Sequence, residues 1–206
     1  MSAEVPRIVP LSEKFNEAFL YAHEAHRHQR RKKTERPYIS HVMGVASLVL
    51  QYGGDEEQAI AALLHDVVED CGGAPRMAEI RRKFGERVAS IVDGCTDTDE
   101  TPKPPWLERK QRYVERVKNE PTEVLLVSAA DKLYNVREIL MDVREDGPGV
   151  WERFSGKQDG SLWYYRALVE VFRARLKDFH PQSSRAAARA LVDELDRTVS
   201  ELERIG

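Results

Sequence analysis

The residues best able to do chemistry together lie in one short stretch, Leu63-Leu64-His65-Asp66-Val67-Val68-Glu69-Asp70. On a continuous helix, i and i+4 spacing sets His65 above Glu69 and Asp66 above Asp70. Ile60, Ala61, Leu63, Leu64 and Val67 fill much of the remaining surface, so three acids and an imidazole crowd against a face suited to burial. Charge in such a place is costly unless something compensates it, and a divalent cation would do so. His65 and Asp66 offer one imidazole and one carboxylate. His41 offers a second imidazole, and Asp131, after the apolar run 124–127, a second carboxylate. Two His and two Asp form a mixed nitrogen and oxygen set that suits Mn²⁺, Fe²⁺, Zn²⁺ or Ni²⁺ better than Ca²⁺ or Mg²⁺. Four such ligands on a six-coordinate ion leave positions for water and substrate oxygen, which favours Mn²⁺ over a closed tetrahedral zinc site. The plainer readings are a solvated helix face, a core histidine at His41, and a helix cap or partner of Lys132 or Arg137 at Asp131.

Helical periodicity dominates the elements that must position these groups. Phe15, Ala18, Phe19 and Ala22 follow an i, i+3, i+4, i+7 pattern behind Ser12, a candidate N-cap. The pattern predicts a second helix over about 38–52, stopped by Gly53-Gly54. A third starts at Asp55 and runs to Gly72-Gly73. Pro75 suits the first turn of a fourth, to about Phe84, and Gly85 separates it from a fifth with Val88, Ile91 and Val92. The stretch 97–105 is polar, has three prolines and reads as a loop. Helices resume over 107–118 and 122–145. Gly147-Pro148-Gly149 and Gln158-Asp159-Gly160 mark turns. An amphipathic helix carries Leu162, Leu168, Val171 and Leu176, and after Pro181 a last one sets Leu191, Leu195, Val199 and Leu202 on one stripe. No strict alternation suggests a sheet. The expectation is an all-α fold: one helical bundle over 8–180 and a helical C-terminal extension, 181–206, packed on it or at a homodimer contact.

Four blocks carry a resemblance to a known family. They are Arg30-Arg31-Lys32 with Pro37-Tyr38-Ile39-Ser40-His41; Ala62-Leu63-Leu64-His65-Asp66-Val67-Val68-Glu69-Asp70; Phe84-Gly85-Glu86-Arg87-Val88 with Thr96-Asp97; and Ala130-Asp131-Lys132-Leu133-Tyr134-Asn135-Val136-Arg137. In order and spacing they resemble the HD-superfamily phosphohydrolases. The closer likeness is to the hydrolase domain of RelA/SpoT proteins and the stand-alone small alarmone hydrolases, metazoan SpoT homologues among them. The resemblance covers roughly residues 10–145. It implies that His41, His65, Asp66 and Asp131 bind Mn²⁺, and that Glu69 and Asp70 activate or position the attacking water. It also implies that Arg31 and Lys32 hold substrate phosphate and that Asn135 contacts the nucleotide. The implied activity is removal of the 3′-pyrophosphate of (p)ppGpp. Alternatives are the same chemistry on (p)ppApp, the 2′-phosphate of NADPH, or a non-catalytic nucleotide-binding protein. Val42 stands where the family usually has proline.

Composition narrows the setting. The 206 residues have a formal net charge of −3, so no global field draws the chain to nucleic acid or membrane. The longest apolar stretch, 42–50, is far short of the ~18 residues that span a bilayer. No cationic head followed by an apolar run marks the N-terminus, Cys71 and Cys95 make neither a disulfide framework nor a CxxC motif, and a reduced cytoplasm is expected. The chain has no room for a synthetase domain, so degradation rather than synthesis of alarmone is expected. The basic run 27–36 lacks interleaved aromatics and reads as a solvated loop with two phosphate contacts. His23, His26 and His28 lack an acid to complete a second metal set. Trp163, Tyr164 and Tyr165 read as packing residues rather than a base platform.

Overall fold

A computed structural model describes residues 10–31, 34–98, 100 and 102–206. Ten α-helices run in order among these residues: α1 (Glu13–Ala25), α2 (Ile39–Gln51), α3 (Glu56–Leu64), α4 (Val67–Cys71), α5 (Gly73–Phe84), α6 (Glu86–Cys95), α7 (Trp106–Val117), α8 (Thr122–Asp146), α9 (Lys157–Arg175) and α10 (Gln182–Ile205). The described residues contain no β-strand; a single antiparallel bridge joins Arg30 and Pro37.

Local chemistry explains the starts. Ser12 caps α1 through the Lys14 amide. Asp55 and Gln58 form a reciprocal capping box on α3, each bond 3.0 Å. Arg87 on α6 then ties three helix starts together, reaching Asp55 at 2.7 Å, Glu57 at 2.8 Å and Glu123 at 2.9 Å. That gives the phenylalanine-glycine-glutamate-arginine block a structural role.

The core sits where α2, α3 and α8 meet, with α1, α6 and α10 packed around them. α3 is buried from Gln58 to Leu64, and α8 is buried continuously from Val124 to Leu133. The α10 stripe of Leu191, Leu195, Val199 and Leu202 is fully buried, and α10 packs on α8 and α9.

Two local expectations are corrected. The third helix does not continue to Gly72: it breaks at His65-Asp66, so α3 ends at Leu64 and α4 begins at Val67. The His65 ring Nδ1 lies 2.8 Å from the Ala62 carbonyl, giving that last-turn acceptor a side-chain partner, and Asp66 sits at ψ −5°. Gln158-Asp159-Gly160 is not a turn but the first turn of α9. Gly156 and Gly160, four residues apart, leave room for the Trp106 indole. A Cβ on Gly156 would stand 2.5 Å from that ring and one on Gly160 3.0 Å away. These glycines therefore serve close approach rather than chain reversal.

Gly156 has φ −79°, which alanine tolerates, so the cost of Gly156→Ala comes from overpacking against Trp106. Denaturant unfolding should show a loss of about 1–3 kcal/mol, largely relieved when Trp106→Leu is added. A stabilised single variant would contradict this packing.

Candidate functional site

The break between α3 and α4 sets His65 and Asp66 side by side, with Asp66 on the wall of a cavity. α2 brings His41 from its first turn, and α8 brings Asp131 from near the end of its buried run. His41 Nε2 lies 3.3 Å from His65 Nε2, 3.3 Å from Asp66 Oδ2 and 3.2 Å from Asp131 Oδ1. His65 Nε2 lies 3.1 Å from Asp66 Oδ2 and 3.5 Å from Asp131 Oδ1. His41, His65 and Asp66 form the tightest set, their ligand atoms all within 4.8 Å of one another; Asp131 joins through both imidazoles.

These separations test whether a cation fits. Bonds of ~2.1 Å to nitrogen and oxygen give ligand–ligand edges of about 3.0 Å on an octahedron and about 3.4 Å on a tetrahedron. The observed range, 3.1–3.5 Å, is that of donors sharing one ion. The donor chemistry agrees. His65 uses Nδ1 on the Ala62 carbonyl, which leaves Nε2 with a lone pair facing the cluster. Burial disfavours a charge on His65, but Asp66 and Asp131 overcome it and hold the imidazole well above its usual range. Burial would raise Asp66 and Asp131, yet the imidazoles hold Asp66 well below the carboxylate range, and Lys132 together with the imidazoles does so for Asp131. The cluster thus demands positive charge, from protons or from a divalent metal.

Neighbours hold both carboxylates, while His41 Nδ1 is buried without a hydrogen-bond partner. The Tyr38 hydroxyl donates to Asp66 Oδ2 at 2.6 Å, and burial beside Asp66 keeps that phenol protonated. Lys132, itself buried, binds Asp131 Oδ2, and the Asn135 amide donates to Asp131 Oδ1 at 2.6 Å. Arg31 donates to the Asn135 carbonyl at 2.6 Å and to Glu138 at 2.8 Å. Arg31 and Asn135, expected on the substrate, therefore also brace a candidate ligand. Lys32 lies outside the described residues. Glu69 and Asp70 line the same cavity, of about 500 Å³. Glu69 accepts from Lys103 at 2.8 Å and from the Asp97 amide at 3.3 Å, while Asp70 accepts from Gln29 at 2.8 Å. Within the basic run Arg31 is shielded in its pair with Glu138, while Arg30 pairs with Glu35 at the exposed surface and Arg36 with Asp142.

Sequence reasoning gives no role to Tyr38, Asp97, Lys103 or Lys110, and names Lys132 only as an ion-pair partner of Asp131, the pair that is observed. Tyr38 stands three residues before His41 and Lys132 next to Asp131, and that proximity is the signal the sequence offers. Lys103 and Lys110 reach the cavity only through tertiary folding.

With this geometry in place, the comparisons define the class: residues 18–160 match the HD domain, and the chain belongs to that family. Among curated relatives it is 42% identical over 126 residues to the guanosine-3′,5′-bis(diphosphate) 3′-pyrophosphohydrolase MESH1 of Xenopus tropicalis, covering 60% of this chain and 68% of that protein. It is 40% identical to the Homo sapiens MESH1 over the same length and shares. Among solved structures it matches a metazoan ortholog of SpoT, described as hydrolysing ppGpp, with TM-score 0.71 and 30% identity. That match covers 93% of this chain and 97% of the other. The HD-domain hydrolase fold and the His and Asp cluster imply a divalent metal.

Without a cation, the raised His65 stabilises the fold below the imidazole's unfolded pKa, a contribution that fades as pH rises through its folded value. Ligation instead requires a deprotonated imidazole. Adding Mn²⁺ or Zn²⁺ to chelator-treated protein should therefore raise Tm more at about pH 8 than at about pH 6. Asp66→Ala should abolish the rise. An undiminished rise in that variant, or the reverse pH trend, would contradict the ligand set.

Proposed function

We propose that this chain is a Mn²⁺-dependent hydrolase that removes the 3′-pyrophosphate of guanosine alarmones, (p)ppGpp, giving GDP or GTP and pyrophosphate. One observation carries the reading. His41 and His65 each stand 3.1–3.5 Å from both Asp66 and Asp131, at a cavity also lined by Glu69, Asp70 and basic side chains. The printed activity of relatives about 40% identical supports the substrate class.

In this reading those four residues hold the ion. Once bound, it supplies Lewis acidity toward a phosphoryl oxygen and lowers the pKa of water toward ~7. Glu69 takes the proton from the attacking water, its carboxylate oriented by Lys103 and the Asp97 amide. Asp70, fixed by Gln29, orients the same water. Arg31 and Lys32 neutralise substrate phosphate, and Asn135 turns toward the nucleotide while bracing Asp131. The setting proposed is the cytoplasm. Both described cysteines are free thiols, and among the described residues no helix is long and apolar enough to cross a membrane.

The test is chromatography of ppGpp, ppApp and NADPH, each incubated with chelator-stripped protein and Mn²⁺. Pyrophosphate and GDP should appear from ppGpp, none should appear with Asp66→Ala, and ppGpp should be the fastest of the three. Glu69→Gln should bind Mn²⁺ yet lose about 10²–10⁴-fold in kcat. No turnover of any nucleotide by protein shown to hold Mn²⁺ would overturn the assignment. Faster turnover of ppApp or NADPH would move the substrate and keep the chemistry.

A further inference from the structure

The cavity has two basic ends, with Asp131 between them. Asp131 Oδ1 faces Asn135 and, through it, Arg31; Oδ2 faces Lys132. Beyond Lys132 lies an inner lobe walled by α7 and α9. Lys132 sits 4.9 Å from the Tyr113 ring centroid, and Lys110 sits 4.9 Å from that of Tyr164. Lys110 and Arg109 share one buried carboxylate, Asp97, with the Lys110 bond at 2.9 Å. Three cations thus face one carboxylate of their own, since Asp131 also serves the imidazoles.

Two polar atoms in this lobe lack a partner. The Tyr164 hydroxyl and Asp97 Oδ1 are both buried with no hydrogen bond to protein, and Tyr164 is only 5% exposed. Buried hydroxyls are almost always satisfied, and leaving one unmade is destabilising. Both residues line the cavity; the Tyr164 hydroxyl is a donor free to meet an acceptor that enters, whereas Asp97 Oδ1 only accepts and calls for a donor such as water or a protonated phosphate oxygen. An anion with several acceptor oxygens matches two ammonium groups and a free phenolic donor.

We propose that the inner lobe receives the terminal phosphate of the diphosphoryl group being cleaved, with Lys110 and Lys132 neutralising it and the Tyr164 hydroxyl donating to it. The assignment rests on the hydrolase reading above and adds which arm of the substrate lies where. Water oxygen bonds to the phosphorus attached to the 3′-oxygen. The bond between that phosphorus and the 3′-oxygen breaks, and the electron pair stays on the 3′-oxygen, which takes up a proton. The terminal phosphate keeps its bridge to the attacked phosphorus throughout, so both depart as pyrophosphate. A subsite for the terminal phosphate makes the lobe a selector for diphosphate over monophosphate esters.

Tyr164→Phe tests this, because it deletes a hydroxyl that no protein group uses. Calorimetric titration of the Mn²⁺-loaded protein with inorganic pyrophosphate and with orthophosphate reads the subsite without turnover. The unmutated protein should prefer pyrophosphate. Tyr164→Phe should weaken pyrophosphate binding on the order of tenfold, leave orthophosphate binding unchanged, and keep or raise Tm. Lys110→Met should weaken pyrophosphate in the same direction. Unchanged pyrophosphate binding in Tyr164→Phe, or an equal loss for both anions, would overturn the assignment. If no nucleotide is hydrolysed yet the pyrophosphate preference holds and depends on Tyr164, the hydrolase reading fails and the lobe stands. If ppGpp is cleaved but that preference is absent, the lobe alone falls.

Discussion

Two imidazoles 3.3 Å apart, each within 3.5 Å of both Asp66 and Asp131 and both buried, cannot be held there without positive charge among them. That demand shapes the surroundings. Tyr38 and Asn135 donate to Asp66 and Asp131, and Lys132 takes the second oxygen of Asp131. The Ala62 carbonyl takes the other nitrogen of His65. With these partners in place, the lone pairs that face inward have only one another, a proton or a cation to answer. A packed hydrophobic scaffold makes the crowding possible, because α2, α3 and α8 each contribute from a buried face and cannot relax apart without opening the core.

The same arrangement links the metal candidates to the cavity around them. Arg31 reaches Asp131 through Asn135, while Lys103 and the Asp97 amide set Glu69. Arg31 is thus two hydrogen bonds from the cluster, and Lys103 holds Glu69 in the same cavity. In the proposed hydrolase, Arg31 couples phosphate binding to Asp131 through Asn135, and the loop between α6 and α7 enters the site through Lys103.

Much of this was legible in the sequence, for physical reasons. Helix signals are local, so Ser12, Asp55, Gly53 and Gly85 marked boundaries close to those observed. His41, His65, Asp66 and Asp131 were singled out because charged groups beside apolar runs are rare, and the structure brings all four together. The break at His65-Asp66 was missed because an apolar i, i+4 pattern persists across it; the deciding contact, His65 to the Ala62 carbonyl, is a side-chain choice. Gly160 read as a turn because a glycine placed for the Trp106 ring has the same letter as one placed for a bend. Lys103 and Lys110 looked like ordinary surface charge in a loop and a helix, and nothing local shows that Glu69 and Asp97 await them.

The most direct test is a crystal structure of the protein grown with Mn²⁺, using anomalous scattering at the manganese edge. The account requires one strong peak per chain within bonding distance of His41 Nε2, His65 Nε2, Asp66 and Asp131, with Tyr38 and Lys132 still on the carboxylates. A cluster without a peak, or manganese bound elsewhere while His65 remains paired with Asp66 and Asp131, would show that protons alone hold the site together and would contradict the account at its centre.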